Sequence, residues 1–421
     1  MNGPPVCLLL GATLLALTAR AQEWPRFRGP NGTGLGSATN LPMHWTATDY
    51  QWQLRLPGAG HSSPVLWGAR LFVTCADAAT GQWRLVCVDS TRGTVAWQKA
   101  FPLPVHSLHR NNTFATATAA VDAQRVYVPR IEGKELRVLA LAHDGTPAWE
   151  FNAGPFQTEH GLAHSPIRQG NLLIFAADHD LAGRIVALDA ASGRLVWERP
   201  RSAGRADYST PCLFRPEGGA PVLIFNTLDD GVSAVDPASG RSVWSAERLL
   251  SLRSVSSPVS ADGLLISSCG SGGGGNYVVA LRPPAQPGAK PAAAYEVRKS
   301  APYVPTPLAV GPLLFLWSDG GIVTCLESAT GKTFWQERVG GNYFSSPVCT
   351  DGKLYGVSAA GEVVVLAAAR EFQELGRGAL GEPAEATPAI ANGRIYFRTL
   401  NRLLCLGPKR DRPAAPAGEV R

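Results

Sequence analysis

Between residues 50 and 406 the chain is written in short apolar runs punctuated by Gly, Asp and Pro. One stretch displays the unit. Residues 164–168, 171–177, 184–188 and 194–199 are each of strand length, and Gln169-Gly170 and Ser192-Gly193 stand between them as turn residues. Apolar runs of this length bounded by turn signals predict β-strands, and four in succession predict an antiparallel meander. Residues 50–56 read as a further strand, with Trp52 and Leu54 two apart and so on one face.

Two markers show that this unit repeats. Ala187-Leu188-Asp189 leads to Gly193 and then Trp197; the same order runs from Ala234 through Asp236 and Gly240 to Trp244, from Cys87 through Asp89 and Gly93 to Trp97, and from Cys325 through Glu327 and Gly331 to Trp335. A shorter copy ends at Trp149. The acid and the Gly suit a tight hairpin turn, and the Trp returns as an anchor. The second marker is Ser62-Ser63-Pro64-Val65, whose Pro recurs at positions 166, 211, 258, 307, 347 and 388, with Ala120 in a degenerate copy. Eight copies spaced 40–56 residues apart predict eight four-stranded propeller blades.

The last repeat lacks an outer strand, and residues 50–56 lack inner ones, so the N-terminal strand is expected to complete the last blade and close the ring. The expected layout is a signal peptide at 1–21, an irregular leader at 22–49, the propeller at 50–407 and a disordered tail at 408–421. Blade five lacks a Trp, and blade seven has Ala367-Ala368-Ala369-Arg370 in place of the Asp–Gly turn.

A meander assigns the loops to faces. The turns joining strands one to two and three to four are short here. The loops joining strands two to three, and blade to blade, are long and varied, and function concentrates on such loops. His61, His106, His109, His160, His164 and His179 all map to that face. His61, His164, Tyr208, Tyr303, Tyr343 and Glu385 fall at or just before inner strands and are expected at the channel mouth, with His160, Arg205, Asp207 and Arg253 nearby. Asp178-His179-Asp180 reads as a solvated loop. Gly270 to Gly275 is not a phosphate loop, since no Gly-Lys-Ser/Thr and no helix follow it.

Charge narrows the partners. A net charge of +6 without a long Lys/Arg run does not suggest nucleic acid or an anionic membrane. Residues 8–17 form an apolar run too short to span a bilayer, followed by Ala19-Arg20-Ala21, so export with cleavage is expected. Cleavage leaves an odd number of cysteines without a CxxC pair, which predicts buried free thiols in place of disulfides or a metal site.

With these repeats laid out, the chain resembles the quinoprotein-like, or PQQ-like repeat, eight-bladed β-propellers. The Ala-x-Asp to Gly to Trp copies are similar to that superfamily's tryptophan-docking repeats. The resemblance implies one of two functions: an oxidoreductase of alcohols or sugars holding pyrroloquinoline quinone and Ca²⁺ at the axis, or a non-catalytic assembly scaffold. No adjacent Cys pair and no CxxCH occur, and only Glu385 and Asp207 offer carboxylates near the mouth. The expected function is therefore an exported, monomeric scaffold that binds a protein or small polar ligand at the channel mouth. No catalytic residue, metal ligand or cofactor is assigned, and the quinone-dependent oxidoreductase stands as the alternative.

Overall fold

The computed structural model describes residues 23–106, 108–180, 182–202, 206–284 and 289–408. The expected signal peptide, nearly all of the C-terminal tail and Arg205 lie outside the described residues.

Asp189 explains the fixed spacing of the repeat. Its carboxylate accepts the backbone N–H of Ser192 (2.8 Å), and its carbonyl accepts that of Gly193 (2.7 Å). Gly193 sits at φ 73°, a conformation that costs glycine least. The hairpin so closed joins Gly183–Asp189 to Leu195–Arg201 and sets Trp197 opposite Ala187. The other copies pair Trp97 with Cys87, Trp149 with Ala140, Trp244 with Ala234, Trp335 with Cys325 and Trp52 with Cys405. A small residue on the third strand thus makes room for the ring on the fourth.

The Trp then serves the neighbouring blade. Trp149 lies flat on the turn of the next hairpin, where a Cβ on Gly193 would stand 2.5 Å from the ring. The same near-contact places Trp52 on Gly93, Trp97 on Gly145 and Trp197 on Gly240. Each indole N–H donates to a carbonyl of the turn it covers: Trp52 to Ser90 (3.0 Å), Trp97 to His143 (2.7 Å), Trp149 to Ala190 (3.0 Å) and Trp197 to Pro237 (3.1 Å). Only glycine leaves the plane of the turn open to an indole, so the Gly–Trp spacing records a contact between blades.

The two irregular blades find substitutes. In blade five Tyr295, on Ala292–Val297, covers Gly331 and donates its hydroxyl to the Ser328 carbonyl (2.7 Å). In blade seven the outer strand Glu374–Ala379 has glycines where the ring belongs. Trp45 of the leader fills the space over Gly378 and stacks on Phe397 at 5.8 Å.

Eight four-stranded antiparallel sheets result, each in meander order. The last contains Trp52–Arg55 hydrogen-bonded to Arg402–Leu406, so the N-terminal strand closes the ring as expected. The Ser/Thr-Pro marker acquires a purpose at the inner edge. The backbone N–H of Ser63 donates to the hydroxyl of Thr118 on the following blade (2.9 Å), Thr118 to Ser165 (3.1 Å), Thr210 to Ser257 (3.1 Å), Ser257 to Thr306 (3.1 Å), Thr306 to Ser346 (3.0 Å) and Ser346 to Thr387 (3.0 Å). These inner-edge groups have no further strand to pair with, and the hydroxyls satisfy them.

The leader has more order than its sequence suggests. Trp24 exchanges backbone hydrogen bonds with Leu66 of blade one (3.1 and 2.9 Å), and the Pro25 carbonyl accepts Val121 N–H of blade two. Asn31 pairs with both backbone groups of Leu213 in blade four. Arg28 reaches the carbonyls of Thr306 and Pro307 in blade six, and Gly34 pairs with Cys349 of blade seven. Residues 24–34 therefore cross the ring and plug its short-turn end. Arg28 (φ 61°), Gly29 (70°) and Asn31 (51°) take left-handed conformations, which the contacts on every side hold in place.

All seven described cysteines are buried thiols outside any disulfide. Cys87, Cys325 and Cys405 lie under the docking aromatics, as small core residues should.

Removal of residues 1–56 takes away the closing strand, Trp52 and the plug together. The truncated protein is expected to lose cooperative unfolding or to aggregate through the exposed Arg402–Leu406 edge, and a single cooperative denaturant transition at the full-length midpoint would refute ring closure as a source of stability. Trp197→Ala should cost about 3–5 kcal/mol in urea unfolding. Asp189→Ala, at a solvated turn, should cost only about 1 kcal/mol.

Candidate functional site

With one end plugged, the channel becomes a cup open on the long-loop face. It encloses about 990 Å³. Hydroxyls of the inner ring (Ser63, Thr118, Ser165, Thr210, Thr306, Ser346 and Thr387) line its lower wall, and Phe27 of the leader forms part of its floor. The upper wall comes from the long loops: His61, His109, Arg110, His160, Tyr208, Arg253, Tyr303, Asp319, Phe344 and Glu385. Of the ten residues singled out in the sequence, His61, His160, Tyr208, Arg253, Tyr303 and Glu385 meet here.

The others are placed differently. Tyr343 is fully buried, with its ring 5.2 Å from Trp317, in the core between blades six and seven. Tyr343 N–H donates to the Asp319 carbonyl (2.9 Å), and its side chain does not line the cup. His164 is 2% exposed, with its Nε2 3.7 Å from Asp178 and its ring against Tyr208 (5.4 Å), so it supports the wall from behind. Asp207 spends its carboxylate on the N–H groups of Leu228 (2.9 Å) and Ser254 (2.6 Å), pinning a loop to a blade connection. Burial nonetheless lifts its carboxyl to about 6.

Asp178 corrects the expectation of a solvated loop. It is buried and accepts from Nε of Arg201 (2.7 Å) and from its Nη2. Burial alone would raise its carboxyl, but Arg201 and His164 overrule that and hold it at about 2. No local pattern signals this pair, because Arg201 lies on an outer strand 23 residues away.

Around Tyr208 the rings form a continuous array. His160 approaches edge-on at 6.0 Å, His109 packs on His160 at 4.5 Å, and the Arg253 guanidinium lies 5.8 Å above the Tyr208 ring. Burial raises the Tyr208 hydroxyl to about 12. Opposite stands His61, 3.7 Å from Glu385. Burial raises Glu385 to about 7, while burial and then the Arg398 charge lower His61 to about 4. At neutral pH this pair is a neutral imidazole beside a carboxyl at its titration point.

Sequence reasoning missed Asp319, Phe27 and the hydroxyl ring. Asp319 accepts the N–H groups of Tyr303 (2.7 Å) and Val304 (3.1 Å), and burial raises its carboxyl. For the ring the signal was present in the Ser/Thr preceding each Pro, read there only as a repeat marker.

An eight-bladed ring of four-stranded sheets, with tryptophan docking between blades, defines a propeller of the quinoprotein-like class. The family described as outer membrane protein assembly factor BamB matches residues 45–211, 297–374 and 319–407, and the chain belongs to that family. No curated protein sequence matches the chain. Among solved structures, BamB from Moraxella catarrhalis is 16% identical, with a TM-score of 0.62 over 85% of this chain and 98% of that one. Quinohemoprotein alcohol dehydrogenase from Comamonas testosteroni is 13% identical, with a TM-score of 0.66 over 96% and 83%. The computationally designed Ika8 protein is also 13% identical, with a TM-score of 0.56 over 84% and 98%. At these identities the likeness establishes the fold.

The donor set does not fit a calcium–quinone pair. Calcium takes six to eight oxygens from a gathered shell. Here Asp207 and Asp319 already accept two backbone N–H groups each, Asp207 does not line the cup, and no group of three or more His, Cys, Asp or Glu suited to a metal gathers among the described residues.

The raised Glu385 carboxyl sets a sign for stability. Its folded pKa of about 7 exceeds its unfolded value, so ionisation in the folded state opposes folding increasingly as pH rises from about 4.5 to about 7. Glu385→Gln should therefore be more stable than the parent at pH 8 and equal to it at pH 4, by urea unfolding at each pH. A variant less stable at pH 8 would contradict the assignment.

Proposed function

We propose that this protein is an exported binding scaffold whose long-loop face receives a segment of a partner protein in the cup. The observation that supports this reading most is the form of the cup. It is blind at one end, walled by loops and strands of the ring, and lined with hydroxyls, tyrosines, histidines and arginine on a rigid frame. Such a surface offers shape and hydrogen bonds at little cost of ordering. Membership in a family described by an outer membrane assembly factor agrees with protein binding. Export rests on the apolar run at residues 8–17 with its following Ala-x-Ala.

A second reading, oxidation of an alcohol or sugar, draws on one observation: Glu385 is a carboxyl brought to about 7, a value suited to proton transfer. That reaction also needs an electron acceptor, and the carboxylates of the cup do not supply the calcium cage for a quinone.

Selection of displayed peptides on the purified mature protein distinguishes the two. Enriched peptides are expected to bind in the cup, and the double variant His160→Ala/Tyr208→Ala should weaken them by about tenfold or more, as loss of aromatic anchors does, while the fold stays intact by circular dichroism. Alcohol or sugar oxidation that depends on added pyrroloquinoline quinone and Ca²⁺, and that disappears in Glu385→Gln, would replace this reading with the enzymatic one.

A further inference from the structure

Three guanidinium groups are buried in the frame that carries the cup, none of them lining it, without a carboxylate to neutralise them. Arg26 and Arg28 lie directly beneath the hydroxyl ring. Arg26 donates to the Pro211 carbonyl (2.6 Å), and Arg28 donates to those of Thr306 (2.9 Å) and Pro307 (3.1 Å). Arg398 lies behind the wall where the last blade meets the first and donates to the Ser62 carbonyl (2.9 Å). None of the three pairs with Asp or Glu among the described residues, and the Nε of each has no hydrogen-bond partner. Burial draws Arg26 down to about 10, Arg28 to about 9 and Arg398 to about 10, so all stay cationic at neutral pH. Carbonyl dipoles solvate these charges but do not cancel them.

A fourth cation stands in the wall itself. Arg253 is 8% exposed, and its Nε and Nη2 lack hydrogen-bond acceptors. The nearest carboxylate is that of Glu159, 3.5 Å from Nη2 and itself half exposed to solvent. The acids that face the cup weigh little against these cations. Asp319 is engaged by backbone N–H groups, and Glu385 is only half ionised at neutral pH. A low-dielectric cup over uncompensated charge focuses a positive potential at its mouth.

We propose that the cup is an anion-receiving site and that its occupant is an acidic peptide segment whose carboxylates meet Arg253 and Arg110 on its wall, in the field of the three buried arginines behind it. The proposal rests on the binding reading above and names its ligand class. Size favours a peptide over a lone inorganic anion. A cup of about 990 Å³ leaves most of its volume unfilled around one phosphate, and the faces of Tyr208, Tyr303 and Phe344 offer apolar contact that only an organic segment uses.

Isothermal titration of the mature protein with hexaglutamate, hexalysine, a neutral Ser/Asn hexapeptide and inorganic phosphate tests this. Hexaglutamate should bind, weaken as salt rises and be displaced by acidic displayed peptides, while hexalysine should not bind. Arg253→Gln should weaken hexaglutamate by about tenfold, the effect expected when a charge-assisted contact is lost. Arg110→Gln, at the exposed rim, should lower affinity less and serves where the buried substitution disturbs folding. Hexaglutamate binding no tighter than the neutral peptide would overturn the proposal, as would phosphate binding as tightly as hexaglutamate, or affinity unchanged in both arginine variants. Displayed peptides that bind without acidic preference would leave the scaffold reading standing and remove this one, whereas failure of every peptide removes both.

Discussion

An indole lying on a glycine turn is the contact on which this ring depends. Each blade by itself is a four-stranded sheet with two apolar faces, and it becomes stable only when its neighbours cover them. The docking aromatic sets how far the outer edges of adjacent blades stand apart, and the N–H bond to the turn carbonyl fixes the angle between them. Trp52 makes this contact across the seam, so the joint between the chain's two ends has the same chemistry as the joints within it. The inner edge is held differently, by hydroxyls bridging successive blades. An apolar clamp outside and a polar one inside leave the rim loops free to vary.

The fold was legible because it rests on repeated contacts, and repetition is visible in one sequence. Acid, Gly and Trp at constant spacing report a turn and its cover. What failed to show was whatever happens once. Tyr295 replaces a Trp without preserving the motif, and Trp45 replaces another from outside the propeller altogether. Both are compensations between distant residues, and no local pattern encodes them.

The site was legible in outline only. Loop length and the placement of histidines pointed to the correct face, because a meander leaves few choices of where long connections go. Individual side chains were less predictable. Tyr343 and Tyr303 occupy similar positions before successive inner strands, yet one enters the core against Trp317 and the other lines the cup. The difference lies in packing against a Trp on the preceding blade, which sequence position does not specify. The arginines of the leader escaped notice for a related reason: Arg26 and Arg28 look like solvated charges in a polar segment, and only threading across the ring buries them.

That threading has a consequence for the order of assembly. The plug and the closing strand come before the blades they hold, and Arg402–Leu406, the edge that the strand completes, follows hundreds of residues later. Until then Trp52 has no sheet to complete, and the leader has an arc of blades to cross in place of a ring. Bringing such distant segments together carries a loop-closure cost that grows slowly with length but must be met before the contact forms, and topologies rich in such contacts fold slowly. Among the described strand pairings the seam joins the segments farthest apart along the chain, so it carries the largest closure cost and leans most on the contacts that hold it.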